Sequence, residues 1–406
     1  MTPATATPSA TKERSHTESP HAFPALDSIR GAAALAVLLT HVAFATGATS
    51  DGAIGAVLAR LDYGVALFFL LSGFLLTRPW LMAAALATPR VSIRVYAVRR
   101  FARIIPLYWL VLAVVLIAVP ANQGMSPQNI ALNGLLLQIY PADALPHALT
   151  QAWSLATEAS FYAALPLLAP LLVLAARPRG SAWRPRRPVV MIALFIIAGL
   201  VFIAVVRAPG SPLPSQAGFW LPYSIGWFAL GMLLSVLDVS NRSSGLRRVR
   251  AALIPLSTHL GTSWAIAVAA FLLASTPIAG PRAFEAATDP LAAIAKSLLY
   301  GTSAFFVLLP LILQPRGEGV VRRALQSRLG RWFGDTSYGV FLWHLLILEG
   351  VMWALGIEPF TGGFIVVAAL TYIGTLVVAD VSYRTLEQPL MRWASSYRPR
   401  AMPRGQ

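Results

Sequence analysis

Long apolar segments, separated by short and mostly basic connections, extend along nearly the whole chain. Ten of them are long enough for membrane-spanning helices, at roughly 30–47, 62–81, 104–120, 151–175, 189–206, 219–237, 260–276, 291–313, 335–355 and 363–383. A helix of about 20 apolar residues crosses the ~30 Å hydrocarbon core of a bilayer. The pattern therefore predicts an all-α, polytopic membrane protein with about ten transmembrane helices embedded in the lipid bilayer.

The composition supports this fold class, because 57% of the 406 residues are hydrophobic and only 12% are charged. The formal net charge is +16, but the cations are spread over the connections between spans, so we expect no nucleic-acid partner. The sequence has no cysteine, which excludes disulfides, thiolate nucleophiles and cysteine-bound metals. No P-loop or zinc-ligand spacing is present either, and we predict no metal site.

The 32 lysines and arginines are divided unequally between alternate connections. All but four lie in the N-terminal segment, in the C-terminal segment and in the connections 78–103, 177–187, 242–250 and 316–331. The four exceptions are Arg60, Arg207, Arg282 and Lys296. Because cytoplasmic loops of membrane proteins are enriched in lysine and arginine, we predict that both termini are cytoplasmic.

The predicted membrane domain covers residues 23–393 and has a tail on each side. Residues 1–22 are rich in Thr, Ser and Pro, which predicts disorder, and they carry no apolar stretch, so we expect no cleavable signal peptide. Residues 394–406 form a basic tail predicted to be cytoplasmic. The longest connection on the other side, 121–150, could hold a short interfacial helix at 130–140, and no internal repeat is visible.

The first apolar segment carries two ionisable residues, Arg30 and His41, eleven residues apart. At ~100° per residue both point in nearly the same direction, and the rise between them is about 16 Å, half of the hydrocarbon core. Arg30 is either a topology-setting cation or a site residue, and His41 is either a packing hydrogen-bond donor or a functional group. Asp27 is most simply the N-cap of this helix, and it could also pair with Arg30.

Two further motifs carry charge at the ends of spans. Arg100 and Arg103 share a helix face at the entrance to the third span, where they would serve as topology cations, lipid contacts or phosphate ligands. Glu158 lies just inside the fourth span, where an unpaired carboxylate is costly. It would pair with His41, contact a hydroxylated acceptor or form a structural bridge.

The remaining candidates lie in the second, ninth and tenth spans. Gly64, Ser72 and Gly73 allow close approach of helices, and we assign Ser72 to packing. His344 is inside the ninth span, where an interhelix hydrogen bond and a functional role are equally open. Glu387 follows the tenth span beside arginines and is interpreted as a structural ion-pair partner.

Together these motifs resemble the acyltransferase 3 family of integral-membrane O-acyltransferases, over about residues 24–393. The first-span motif of that family matches Leu26, Asp27, Arg30, Gly31 and His41. Further matches are FFLLSGFLLT at 68–77, RxxR at 100–103, WSLATE at 153–158, SYGVFLWH at 337–344 and EQP at 387–389. Each motif alone is weak, but six in the family order on a ten-span chain are specific.

The resemblance implies a cell-membrane enzyme that moves an acyl group from acyl-CoA to a hydroxyl of an envelope carbohydrate, a glycolipid, a lipid or a secondary-metabolite sugar. Acetyl-CoA is the commonest donor in the family, and its phosphates would meet Arg100 and Arg103. His41 would act as general base or form an acyl-histidine intermediate, and Arg30 and Glu158 would complete the catalytic set. The implied supporting positions are Asp27, Tyr338 and His344.

Some features depart from the family pattern. Ala66 stands where the family usually has an aspartate, so the role of that carboxylate is absent or moved, with Asp62 as the nearest substitute. Ala159 replaces the second of two paired glutamates. No SGNH-type esterase domain follows the membrane region, and we expect any second transfer step to need a separate protein.

A secondary transporter is the alternative interpretation, because transporters also have ten or more spans with ionisable groups near the midplane. Such a protein would usually show inverted repeats and Gly- or Pro-broken helices in matching positions, and the sequence shows neither. A lipid-flipping or scaffold protein would not need His41. The sequence specifies neither the acyl group, nor the acceptor, nor the oligomeric state.

Overall fold

The computed structural model describes residues 23–89, 91–142, 144–177, 182–240, 246–282, 289–315 and 317–397, and within these ranges it contains helices and no β-strand. The predicted disordered tail, 1–22, and residues 398–406 of the predicted basic tail lie outside the described residues. The predicted all-α fold class is therefore confirmed for the described part of the chain.

Fifteen α-helices follow one another along these ranges. They are α1 Pro24–Ala45, α2 Gly52–Ala59, α3 Gly64–Ala85, α4 Ile93–Ala118, α5 Pro127–Gly134, α6 Ala152–Ala176, α7 Arg186–Arg207, α8 Leu221–Val239, α9 Arg247–Thr258, α10 Leu260–Ala274, α11 Pro290–Leu313, α12 Val320–Leu325, α13 Arg328–Leu355, α14 Phe364–Ser382 and α15 Gln388–Ser396. A π-helical turn, Tyr383–Glu387, joins α14 to α15. In the described residues, nine helical stretches are long and apolar enough to cross a membrane.

The seventh predicted span, 260–276, differs from the other nine. Here α10 has 15 residues, which gives a length of about 22 Å and does not cross a ~30 Å hydrocarbon core. The preceding α9 meets it at an angle of 93°, with the break at His259 (φ −100°, ψ 94°). Counting the bent pair as one span would give ten. The predicted helix is found at Leu260–Ala274, but alone it is too short for a span and it follows a sharp bend.

Two predicted helix starts also needed correction. The first helix begins at Pro24, so Asp27 is in its first turn and is not the N-cap; an acidic side chain there interacts favourably with the helix dipole. The short helix expected at 130–140 lies earlier, at Pro127–Gly134, because the Ser126 hydroxyl accepts a hydrogen bond from the Asn129 N–H and caps it. It ends before Leu136, whose φ is +58°.

The helices pack at three crossings where glycine is required. At the α3–α8 crossing, a Cβ on Gly73 would lie 2.1 Å from the Phe228 carbonyl oxygen, and a Cβ on Gly231 would lie 2.0 Å from the Leu70 carbonyl oxygen. The two backbones therefore touch directly, as small residues allow in membrane proteins. This confirms the predicted packing role of Gly73.

The second and third crossings place α1 between α13 and α3. A Cβ on Gly334 of α13 would lie 2.4 Å from the Asp27 carbonyl oxygen, and a Cβ on Gly31 of α1 would lie 2.8 Å from the Phe333 Cβ. On the other side, a Cβ on Gly64 of α3 would lie 2.4 Å from the Ala33 carbonyl oxygen. The helix that carries Arg30 and His41 is thus held tightly by two neighbours.

Replacing Gly231 by alanine is expected to destabilise the fold by about 1–3 kcal/mol or more, because the added methyl group would separate two helix backbones. The matched control is Gly226→Ala on the same helix, where an added Cβ meets nothing within 4 Å. There alanine should be neutral or stabilising by up to about 1 kcal/mol. The measurement is the thermal unfolding midpoint of both variants in detergent, and equal midpoints would contradict the described crossing.

All four cations outside the predicted cytoplasmic segments contact protein groups in the structure. Arg60 is buried and donates to three backbone carbonyl oxygens at 2.7–3.1 Å. Lys296 forms an ion pair with Asp62 at 2.7 Å, and Arg282 donates to a backbone carbonyl oxygen at 3.0 Å. Arg207 donates to a tyrosine hydroxyl at 3.2 Å. The four cations thus have structural partners in addition to any role in setting topology.

Candidate active site

A cavity of about 200 Å³ lies among α1, α3, α4, α6 and α13. Its polar lining residues are Arg30, Ser72, Arg100, Arg103, Ser154, Glu158, Tyr162, Ser337 and Tyr338. The remaining lining residues are apolar and come mainly from α3. Five helices from different parts of the sequence thus place four of the predicted charged site residues around one cavity.

Three guanidinium groups line this cavity, from Arg30 on α1 and from Arg100 and Arg103 on α4. The Arg100 Nε atom is buried and has no hydrogen-bond partner among the described residues. The Arg103 Nη1 atom lies 3.3 Å from the Met391 sulfur, which is a weak acceptor. Within the described ranges, Arg30 shows no hydrogen bond from its side chain to protein. Since each guanidinium has five N–H donors, the cavity offers many donors to an anionic ligand.

Glu158 lies beside these arginines. Its carboxylate accepts hydrogen bonds from the Ser72 hydroxyl on α3 and from the Tyr162 hydroxyl one turn further along α6, and its charge interacts with those of Arg100 and Arg103. No contact between Glu158 and His41 is described, so the suggested pairing of these two is not found. Ser72, which we assigned to packing, joins α3 to α6 through its hydrogen bond to Glu158 and also lines the cavity.

The second polar cluster is a pair of histidines on α1 and α13. The Nδ1 atom of His41 lies 2.7 Å from the Val37 carbonyl oxygen and 3.3 Å from the Nε2 atom of His344. The Nδ1 atom of His344 lies 2.8 Å from the Phe341 carbonyl oxygen. The ring centroids are 5.0 Å apart, and His344 is fully buried.

These contacts determine which ring nitrogens carry protons. A carbonyl oxygen can only accept, so Nδ1 must donate in both histidines, and in the neutral rings the lone pair is then on Nε2. The Val37 carbonyl oxygen, at 2.7 Å, thus favours the His41 tautomer that carries its proton on Nδ1, and the longer contact of this Nδ1–H with the His344 Nε2 lone pair is compatible with that tautomer. In this tautomer the basic nitrogen of His41 is Nε2.

The cavity and the histidine pair are adjacent but separate. Neither histidine is among the cavity-lining residues, whereas Phe341 is, and its ring centroid lies 6.1 Å from that of His344. Arg30 and His41, predicted to share one helix face, thus have different environments: Arg30 lines the cavity, and His41 contacts His344 outside the cavity lining.

The supporting positions show different environments. The Tyr338 hydroxyl donates to the Ile104 carbonyl oxygen at 2.7 Å and lines the cavity. Asp27 contacts the α13 backbone at Gly334 and is not a lining residue. Glu387 is buried, and its Oε1 atom has no hydrogen-bond partner among the described residues. The predicted ion pair of Glu387 with an arginine is not found, although its charge interacts with that of Arg103.

Sequence reasoning missed Tyr162 and the apolar residues Phe68 and Phe341, all of which line the cavity. The spacing of Glu158 and Tyr162, four residues apart on one helix, places both side chains on the same face and could have indicated the tyrosine. No comparable pattern marks the two phenylalanines, because they resemble ordinary core residues.

The chain was also compared with known protein families. The family model of the acyltransferase domain, acyltransferase 3, matches residues 23–384. The chain belongs to this acyltransferase family. The matched range includes both the arginine-lined cavity and the histidine pair, and the predicted recognition is confirmed.

Among curated proteins, the acyltransferase chain is similar to the peptidoglycan O-acetyltransferase OatA of Listeria monocytogenes, at 25% identity over 91% of this chain and 56% of the relative. It is also similar to the putative peptidoglycan O-acetyltransferase YrhL of Bacillus subtilis, at 23% identity over 91% of this chain and 55% of the relative. The chain therefore spans about half the length of these two relatives.

A third relative has a more similar length. The exopolysaccharide production protein ExoZ of Rhizobium meliloti is 27% identical over 81% of this acyltransferase chain and 89% of the relative. No solved structure showed significant similarity to the chain. In the described part of the chain, no group of three or more His, Cys, Asp or Glu side chains could hold a metal ion.

Proposed function

We propose that this acyltransferase moves a short acyl group, preferably acetyl, from cytoplasmic acyl-CoA to a hydroxyl of a cell-envelope carbohydrate. The observation that carries the proposal is the arginine-lined cavity that ends next to the His41–His344 pair. An anion-binding region and a basic nitrogen are the two groups that an acyl-CoA-dependent transferase needs. The predicted location is the plasma membrane, with the basic side facing the cytoplasm.

In this proposal the arginines bind the phosphates of the donor. Arg100 and Arg103 are near the start of α4, on the side where the sequence concentrates its cations. Guanidinium forks match phosphate oxygens in geometry and charge. Glu158 and Tyr162 would face the amide groups of the pantetheine arm, whose N–H groups can donate to a carboxylate. Glu158 also interacts with the charges of Arg100 and Arg103 and would help to order them.

His41 would act as the general base. Its Nε2 atom would take the proton from the acceptor hydroxyl as the oxygen attacks the thioester carbonyl carbon. The C–S bond then breaks, and the departing thiolate takes the proton from the imidazolium, which restores neutral His41 and releases free CoA. His344 would hold the reactive tautomer by accepting from the His41 Nδ1–H, and would act as a positioning residue.

The acceptor class is proposed from the relatives, which are named for peptidoglycan O-acetylation and for exopolysaccharide production. The carboxylate that the family usually has at position 66 is replaced by alanine here. Asp62, the suggested substitute, is held by Lys296 at 2.7 Å and by the Tyr300 hydroxyl. We therefore assign Asp62 a structural role and place no catalytic step on it.

The test uses sealed inside-out vesicles loaded with a chito-oligosaccharide and supplied on the outside with radiolabelled acetyl-CoA. The proposal expects label in lumenal carbohydrate, either the loaded oligosaccharide or glycans of the host envelope, together with release of free CoA outside. Vesicles without the protein are the control. Uptake of a solute without any thioester cleavage would instead favour a transporter, and absence of both label and thiol release would contradict the proposed function.

A further inference from the structure

Two aromatic side chains, Phe68 and Phe341, lie toward the end of the cavity that is farther from the arginines. Phe68 lies four residues before Ser72 on α3, which places it about 6 Å further from the basic side along the helix axis. Phe341 lies three residues after Tyr338 on α13 and faces the same part of the cavity as Phe68. Both line the cavity, together with Val65 near the start of α3 and Ser154 and Leu155 near the start of α6.

The two rings form a pair across this end. Their centroids are 6.0 Å apart and the ring planes are inclined at 69°, an edge-to-face arrangement of the kind that aromatic pairs prefer. Only 6% of Phe341 is exposed. Its carbonyl oxygen accepts from the His344 Nδ1–H at 2.8 Å and from the Gln151 Nε2–H at 3.3 Å. The backbone of Phe341 is therefore fixed by the histidine pair, while its side chain borders the cavity.

In the proposed route, a donor that binds at the arginines passes this pair of rings before its thioester reaches His41. Because the rings are in edge-to-face contact, their side chains have to move apart to let it through. The acyl group enters first, followed by the sulfur and the two-carbon link to the first pantetheine amide. That link is an unbranched chain, and an opening wide enough for it also admits an unbranched acyl group. A branch at the carbon next to the carbonyl adds a methyl group and makes the acyl group wider than this link. The space between the rings must then be wider as well.

We propose that Phe68 and Phe341 select the acyl group by width, admitting unbranched short acyl thioesters and rejecting branched ones. The inference rests on the proposed function, because it assumes that the donor travels from the arginines to His41. It adds two specificity-determining residues that contact the substrate and take no part in proton transfer. An isomer pair such as butyryl-CoA and isobutyryl-CoA has the same atoms and differs in shape, so discrimination between them reports on the rings.

The experiment measures kcat/KM for free thiol release from acetyl-, butyryl- and isobutyryl-CoA by the protein in lipid nanodiscs. Wild type should prefer butyryl over isobutyryl by roughly tenfold or more, the order expected when one carbon is misplaced in an apolar pocket. Phe341→Ala and Phe68→Ala should each lower this ratio about tenfold. Phe68→Trp, which narrows the opening, should raise it.

The matched control is Phe305→Ala, which removes the same ring from α11, outside the cavity lining, and should keep the wild-type ratio. If Phe341→Ala fails to fold, the two Phe68 variants still test the inference in opposite directions. A wild-type protein that cleaves both isomers equally, or a ratio unchanged in the folded Phe68 variants, would overturn it while leaving the proposed function intact. A wild-type protein that cleaves no thioester, with or without chito-oligosaccharide, would overturn both.

Discussion

Replacing His41 by alanine is expected to abolish acyl transfer while leaving acetyl-CoA bound. The basic Nε2 atom would be lost, and general base catalysis contributes about 10²–10⁴-fold to rates. The arginines that would hold the phosphates are on the other side of the aromatic pair and are unchanged by this substitution. The measurement combines turnover of acetyl-CoA in nanodiscs with its dissociation constant, and we expect kcat to fall by that factor with the dissociation constant within about threefold.

His259→Ala is the matched control, because His259 is exposed at the break between α9 and α10.

A companion pair of variants tests the positioning role of His344. The substitution His344→Gln can keep an acceptor for the His41 Nδ1–H, whereas His344→Phe cannot. Because one hydrogen bond of about 1–1.5 kcal/mol corresponds to roughly tenfold in rate, we expect kcat to be about tenfold lower in His344→Phe than in His344→Gln. Full turnover by His41→Ala would rule out the general base and would favour a non-enzymatic function.

Replacing Arg100 and Arg103 together by alanine is expected to weaken acetyl-CoA binding at least about 100-fold. Each hydrogen bond to a charged group contributes about 1.5–3 kcal/mol, so the loss of two corresponds to roughly 3–6 kcal/mol. Because Arg100 Nε is buried without a partner among the described residues, its removal costs the fold little hydrogen bonding. The measurement is equilibrium binding of labelled acetyl-CoA to the protein in nanodiscs.

Arg99→Ala is the control for the arginine pair. Arg99 is on the same helix but is exposed, and its only recorded side-chain bond among the described residues is to the Ser395 carbonyl oxygen at 3.5 Å. The double substitution to lysine keeps both charges and loses the planar forks, so it should show an intermediate affinity. If the Arg99 variant and the double variant lost equal affinity for acetyl-CoA, the arginines would act through general surface charge and not through the cavity.

Much of the fold was predictable because span length and hydropathy depend on local sequence. The helical repeat also predicted correctly that Arg100 and Arg103 share a face. The histidine contact was not predictable, since His41 and His344 are 303 residues apart and no local pattern specifies which helices become neighbours. The same reason explains why Ser72 was assigned to packing: its partner, Glu158, lies on another helix.

The errors at helix ends have a different origin. The break between α9 and α10 lies at His259, whose backbone is not helical (φ −100°, ψ 94°). Apolar composition carries no information about such an angle. Asp27 was taken as an N-cap from its residue type, although Pro24 allows the helix to start four residues earlier. Composition thus predicted where helices are, and backbone geometry determined where they begin and bend.

The glycine crossings have a consequence for motion during turnover. The α3–α8 and α1–α13 pairs touch backbone to backbone, so neither pair can slide without steric overlap, and the walls they form are rigid. The other two walls, α4 and α6, contain Pro106 in α4 and Pro166 and Pro170 in α6, where a missing hydrogen bond makes bending easier. Pro79 of α3 follows Leu76, the last α3 residue that lines the cavity. Widening of the cavity would therefore be a hinge movement of the helices that carry Arg100, Arg103 and Glu158, against a stationary frame that holds the histidine pair.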